Sequence, residues 1–226
     1  MPSVLSLADF DLPTRSASGF LIRWIAPRLG PTHLYGTLAR EGLFKRAAVP
    51  ADLLIIMGHG QPEFVTGQNE SKLLRVGDYD PQEIKGKVIK LLSCQAGRVL
   101  GPDLVRNGAA AVLAYTDDYV WVMDADLVST PWSDKIAASS LMPVVQSLNA
   151  LLDGKTAREA FEIERQGYLK SMGEVDDELV RSCLKFNYDN GVLLGNPRGT
   201  VGKRPPLLLP FKFIPPPPLP PLRSTY

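Results

Sequence analysis

One histidine and one cysteine in this sequence stand where they could carry out thiol chemistry. The chain has two histidines and two cysteines; His59 follows the apolar run 53–57, and Cys94 follows the apolar run 88–92. A thiol becomes a strong nucleophile only when its proton is removed, and an imidazole within hydrogen-bond reach can remove it. The pattern therefore predicts a His59–Cys94 catalytic dyad. The alternative is that Cys94 only packs, since buried cysteines commonly behave as small hydrophobic residues.

The dyad requires two strands that end at the same edge of a sheet. Residues 52–57, 88–92 and 110–115 form predominantly apolar runs, typical of strands buried on both faces of a parallel sheet. Segments of helical periodicity alternate with these runs, which predicts an α/β fold, a three-layer sandwich with a mostly parallel sheet. Such sheets place their chemistry beyond the carboxyl ends of the strands. The other predicted elements are helices over 18–29, 33–47, 101–107, 136–152, 157–172 and 176–188, a hairpin over 63–66 and 73–76, and short strands over 4–8 and 192–194.

The residues around the dyad suit acyl transfer. The glycines on both sides of His59 let the backbone approach a substrate closely. The backbone amides of Gly60 and Cys94 are predicted to stabilise an oxyanion. The second cysteine, Cys183, has helical spacing with Leu179 and Phe186, which predicts a core position for it.

Two segments resemble the caspase-like clan of cysteine peptidases, and most nearly its gingipain-like branch. They are Leu-Leu-Ile-Ile-Met-Gly-His-Gly at 53–60 and Lys-Leu-Leu-Ser-Cys-Gln-Ala-Gly at 90–97, and the resemblance covers roughly residues 30–197. It implies a caspase-like fold and peptide-bond hydrolysis without a cofactor. In it His59 matches the catalytic histidine, Cys94 the nucleophile and Gly60 the oxyanion-hole glycine. Leu92 departs from the pattern, because some members carry an acidic residue at that position.

Acidic and aromatic residues follow the third apolar run. Asp117 or Asp118 could pair with an arginine or lysine side chain of a substrate, and Trp121 could cover its stem. These three residues are the predicted substrate-binding set, and they favour cleavage after a basic residue. The alternative is that they form a solvated loop and a helix cap.

Charge and composition divide the chain near residue 200. After that position there are four basic residues and no acidic one, so residues 1–200 carry 21 basic against 24 acidic side chains. This balance argues against nucleic-acid binding, which needs clustered lysine and arginine. Nine of the twenty prolines lie between Pro205 and Pro221. We therefore predict a peptidase domain over 1–200 and a proline-rich basic tail over 201–226, either a spacer or a ligand for a partner's groove.

Other features narrow the function classes. No apolar run approaches the roughly 20 residues of a membrane span, and no secretory signal is recognisable, so the chain is predicted to be cytoplasmic and away from membranes. The scattered histidines and cysteines lack ligand-pair spacing, so no metal is expected. A peptide or protein is the expected substrate. The alternatives are a catalytically silent binding or scaffold module of the same fold, and an enzyme that uses Cys94 on a non-peptide acyl group.

Overall fold

The computed structural model describes residues 2–29 and 33–202. The strands of its main sheet are β1 (Ser3–Leu7), β2 (His33–Tyr35), β3 (Leu53–Met57), β7 (Val88–Leu92), β8 (Ala111–Tyr115) and β9 (Gly191–Gly195). They lie in the order β2-β1-β3-β7-β8-β9, and all neighbours are parallel except β8 and β9. The mostly parallel sheet predicted from the apolar runs is confirmed.

A second, smaller sheet lies in the chain between β3 and β7. Strands β4 (Gly60–Gln61), β5 (Phe64–Thr66) and β6 (Lys72–Arg75) pair antiparallel in that order. The hairpin predicted from the sequence corresponds to β5 and β6. Because β4 begins immediately after His59, this small sheet fixes the chain on the carboxyl side of that residue.

Helices cover both faces of the main sheet. Alternate strand residues contribute to two separate cores, so that Leu53 and Ile55 face one side and Leu54 and Ile56 the other. The helices are α1 (Leu12–Trp24), α2 (Glu41–Ala48), α3 (Pro81–Ile84), α4 (Leu100–Arg106), α5 (Lys135–Leu152), α6 (Ala157–Glu174) and α7 (Glu178–Asn190). The first core contains residues of α1 and α5–α7, and the second contains residues of α2–α4 and the small sheet.

The structure corrects the prediction of one helix over residues 33–47. Its first part is the edge strand β2, which pairs with β1, and only Glu41–Ala48 is α-helical. Gly36 follows β2 with a φ of 55°, a backbone conformation that suits glycine and separates the strand from the helix. Periodicity alone did not reveal this break.

The prediction that Cys183 lies in the core beside Leu179 and Phe186 is also wrong. Leu179 is 64% exposed and Phe186 is 38% exposed, while Cys183 itself is only partly buried. The buried side of α7 consists instead of Val180, Leu184 and Asn187.

The predicted tail lies almost wholly outside the described residues, which stop at Gly202. Within the part of the chain that the structure describes, no helix combines the length and apolar character needed to cross a bilayer.

Candidate active site

His59 and Cys94 lie at the carboxyl ends of two neighbouring strands. β3 and β7 pair in parallel with Met57 opposite Leu92, and each candidate residue follows its strand by two positions. Both side chains line one open cleft of about 570 Å³. The convergence that the strand pattern predicts is therefore present at this edge of the sheet.

The loops that carry the two residues touch through their main chains. A Cβ atom added to Gly60 would lie 2.3 Å from the carbonyl oxygen of Cys94 and 3.0 Å from its amide nitrogen. No side chain fits in this space, so glycine is required for the close approach. The two amides predicted to hold an oxyanion consequently belong to adjoining stretches of backbone.

The ladder of the small sheet orients the Gly60 amide. Thr66 donates its backbone N–H to the carbonyl of His59 at 2.9 Å, so His59 and Thr66 form a hydrogen-bonded pair. The next pair, Gly60 and Val65, is then a non-hydrogen-bonded pair, whose amides point away from the partner strand. The N–H of Gly60 thus points away from β5, outward from the open edge of the small sheet.

An aspartate that sequence reasoning missed holds His59. The Nε2 atom of His59 lies 2.6 Å from Oδ2 of Asp11, and the two side chains are 42% and 34% exposed. Asp11 caps the start of α1 by accepting the backbone N–H of Thr14 at 2.9 Å. The edge of the Phe10 ring packs on the imidazole, with 5.5 Å between ring centroids. His59 is therefore fixed from the end of β1 as well as from its own strand.

The Asp11 carboxyl remains ionised down to low pH. Burial raises its pKa, but hydrogen bonds from Thr14 and His59 act more strongly together, and the pKa lies below its usual value. Of the two tautomers of a neutral imidazole, a carboxylate at Nε2 favours the one with its proton on that nitrogen. Nδ1 then carries the lone pair that can accept a proton.

Cys94 is held mostly as a thiol in the resting site. Burial is the main cause that raises its pKa, and the charge and hydrogen bonding of Asp118 raise it further. Hydrogen bonding from the backbone of Tyr119 acts in the opposite direction without cancelling these effects. Proton transfer to a base is thus needed before Cys94 can attack.

The turn after Cys94 brings it close to the loop that follows β8. Gln95 adopts a φ of 57°, and its amide donates to the carbonyl of Asp117 at 3.0 Å. The side-chain amide of Gln95 donates to Oδ1 of Asp118, also at 3.0 Å. Left-handed backbone at a residue other than glycine is uncommon and is often found at functional sites.

The three residues predicted to bind substrate separate in the structure. Asp118 and Trp121 line the same cleft as His59 and Cys94, whereas Asp117 is absent from its lining. Asp117 pairs instead with Arg98 at 3.0 Å. The buried Nε1 atom of Trp121 has no hydrogen-bond partner within the described part of the chain.

Glu70 is a further cleft residue that the sequence analysis did not identify. It lines the cleft from the loop between β5 and β6, where Asn69 and Glu70 have φ values of 49° and 59°. The charged or titratable residues that line the cleft are His59, Glu70, Cys94, Asp118 and Tyr119. Among the described residues, no lysine or arginine lines it. The cleft is therefore acidic among the described residues.

Within residues 2–29 and 33–202, no group of three or more histidine, cysteine, aspartate or glutamate side chains could hold an ion.

Comparison of the chain with protein-family models, with curated proteins and with solved structures finds no match in any of the three.

Proposed function

We propose that the chain is a cysteine peptidase of the caspase-like clan, nearest to the gingipain-like branch. The observation that carries the proposal is the convergence of His59 and Cys94 in one cleft, with Gly60 against the Cys94 backbone. The parallel sheet and the order of histidine before cysteine agree with the resemblance in the sequence. Two free thiols suit the cytoplasmic location that the sequence predicts.

The reaction would proceed through an acyl-enzyme. His59 accepts the proton of the Cys94 thiol, and the thiolate attacks the carbonyl carbon of the scissile peptide bond. The amides of Gly60 and Cys94 donate to the oxyanion that forms. Collapse of this intermediate breaks the C–N bond, and His59 gives its proton to the leaving amine. Water, deprotonated by His59, then attacks the thioester and releases Cys94.

Asp11 would serve as the group that orients the base. Its carboxylate accepts the Nε2 proton and stabilises the imidazolium formed during the reaction. The acidic cleft would select a basic side chain before the scissile bond, with Asp118 as its partner and Trp121 along its stem. Asp117, already paired with Arg98, leaves this set.

A labelling experiment tests the proposal. The protein is treated with electrophilic peptidyl probes that differ only in the residue next to the reactive group. Labelling should disappear in Cys94→Ala, fall about 100-fold or more in His59→Ala and persist in the matched control Cys183→Ala. Probes with arginine or lysine should react fastest. Undiminished labelling of Cys94→Ala would refute the peptidase, and a preference for an acidic probe would refute the selectivity.

A catalytically silent binding module of the same fold is the second candidate. The raised pKa of Cys94 is the observation that favours it, because a protonated thiol is a poor nucleophile. Such a module would bind basic peptides in the acidic cleft without cleaving them. Peptide binding by Cys94→Ala and wild type with equal affinity, and no product from the wild type, would identify this case.

A further inference from the structure

We propose that Asp118 is a brake on Cys94, which keeps the thiol protonated until a cationic group of a ligand binds the Asp118 carboxylate. The cationic ligand follows from the proposed function, whereas the action of Asp118 on the thiol is independent of it. In this arrangement the residue that recognises the substrate also controls the nucleophile.

Among the described residues, the pairing of charges around the cleft leaves Asp118 without a cation. The guanidinium of Arg98 donates to the carbonyl of Thr116 and to the carboxylate of Asp117. The partner that the structure gives to Asp118 is the neutral side-chain amide of Gln95. One of two consecutive aspartates is therefore neutralised, and the one that lines the cleft is not.

Asp118 and Cys94 are joined by the geometry of two loops. Gln95, the residue after the nucleophile, binds the loop after β8 twice, through its backbone to Asp117 and through its side chain to Asp118. These bonds hold the carboxylate beside the cleft that Cys94 lines. The pKa of Cys94 is raised first by burial and then by the charge and hydrogen bonding of Asp118, which agrees with a direct action of the carboxylate on the thiol.

The other titratable groups of the cleft do not replace this action. His59, from the end of β3, has Asp11 of the α1 cap as its carboxylate partner. Glu70 lines the cleft from the loop between β5 and β6 and carries a second negative charge. The hydroxyl of Tyr119 is buried and donates to the carbonyl of Ser140 at 2.7 Å. None of these groups is among the causes that raise the pKa of Cys94, whereas Asp118 is.

Binding of a cation would release the brake without any change in fold. A guanidinium or ammonium group that pairs with Asp118 neutralises the charge of its carboxylate. It also competes with the thiol of Cys94 for hydrogen bonding to that carboxylate. The proton of Cys94 can then pass to Nδ1 of His59, and the thiolate forms with the substrate already in place. An empty site would keep a less reactive thiol.

Alkylation of Cys94 by iodoacetamide tests this proposal, because this neutral reagent needs no peptidase activity. The rate is measured against pH for wild type, Asp118→Asn and the matched control Asp117→Asn, all with Cys183→Ala so that one thiol reacts. Asp118→Asn should move the midpoint of the profile to lower pH. If the midpoint lies lower by about one pH unit, the fraction of thiolate at pH 7 is about tenfold larger. A thiolate of lower pKa is also a weaker nucleophile, so the expected gain in the alkylation rate is about threefold. The midpoint for Asp117→Asn should lie nearer than that for Asp118→Asn to the midpoint of the parent, the protein with Cys183→Ala alone.

Agmatine, which carries a guanidinium group, supplies the second arm. It should accelerate alkylation of the parent at pH 7 and have no such effect on Asp118→Asn. An unchanged midpoint in Asp118→Asn would overturn the brake, and equal acceleration of both proteins would overturn its release by a cation. If both arms behave as expected but no peptide is cleaved, the peptidase proposal fails and the control of the thiol by Asp118 stands.

Discussion

A single carboxylate, that of Asp11, links the start of a helix to the candidate base. One of its oxygens accepts the N–H and hydroxyl of Thr14, and the other lies 2.6 Å from His59. A test of catalysis therefore needs a substitution that keeps the helix cap and changes only the contact with His59. Asparagine does so, because it caps helices about as well as aspartate but carries no charge.

Asp11→Asn should reduce activity with little loss of stability. The neutral amide no longer stabilises an imidazolium, so we expect kcat/KM on a basic peptide to fall about 10- to 100-fold, with a change in Tm of about 2 °C or less. Asp9→Asn is the matched control, because Asp9 is a nearby carboxylate that pairs with Arg15. Equal kinetics of the two variants would show that Asp11 serves only the helix.

The pH dependence of this contact follows from the lowered pKa of Asp11. A carboxyl whose pKa is lower in the folded protein stabilises it above the unfolded pKa, and this contribution is lost as pH falls through the folded value. The unperturbed value for Asp11 is 3.8, so its charge is complete at neutral pH. Any change of activity between pH 5 and 8 should therefore not arise from titration of Asp11.

The sequence reveals the dyad but not its third member. His59 and Cys94 stand out because each follows a strongly apolar strand. Asp11 follows the short strand β1, whose sequence Ser-Val-Leu-Ser-Leu gives a weaker signal, and its partner is 48 positions away. The spacing of Asp11 and Thr14, with Pro13 between them, is a recognisable helix-start signature. It predicts a cap, but long-range pairing with His59 is a property of the folded sheet.

At the scale of elements, the loop after β3 is enclosed by backbone on both sides of His59. A Cβ added to Gly58 would lie 2.0 Å from the carbonyl oxygen of Thr66, and one added to Gly60 would lie 2.3 Å from that of Cys94. The small sheet thus contacts the backbone just before His59, and the turn after β7 contacts the backbone just after it. The sequence predicts that these glycines let the backbone approach a substrate closely, and the structure places neighbouring backbone against both of them.

Gly60→Ala should damage the site through this contact. The new methyl group meets backbone atoms and cannot be accommodated by a rotamer change, so the His59 and Cys94 loops must separate. We expect a loss of about 1–3 kcal/mol in the free energy of unfolding, measured with urea, and at least a 10-fold fall in Cys94 labelling. Gly42→Ala is the control, since nothing lies within 4 Å of its Cβ position in α2. Labelling of Gly60→Ala at the wild-type rate would exclude a role for the close approach.

At the scale of the whole molecule, a buried polar network crosses from the sheet to α6. The ammonium of Lys90, 1% exposed, lies 2.7 Å from both carboxylate oxygens of Glu164, which is 2% exposed. Tyr115 donates to the same carboxylate and lies 3.0 Å from the hydroxyl of Tyr168. Two strands and a helix from different layers are therefore connected by hydrogen bonds within the first core.

Prediction from sequence succeeds for the layers and fails for this network. The apolar run 88–92 identifies a buried strand even though Lys90 lies in its middle, because four of its five residues are aliphatic. Nothing local in the sequence indicates which acidic residue compensates that buried ammonium. The pairing depends on how α6 packs on the sheet, 74 positions later in the chain.

A double-mutant cycle measures how much the network contributes to stability. Glu164→Gln leaves Lys90 as a buried charge without a carboxylate, and we expect the free energy of unfolding in urea to fall by about 3–5 kcal/mol. Lys90→Met should cost a similar amount, because it leaves the carboxylate unpaired. The double variant should recover part of the loss, since both charges are gone, which gives a coupling energy of more than about 1 kcal/mol. Glu162→Gln, an exposed change in the same helix, should cost less than about 0.5 kcal/mol. Additive losses in the double variant would contradict a coupled ion pair and would mean that packing, and not charge pairing, holds α6 to the sheet.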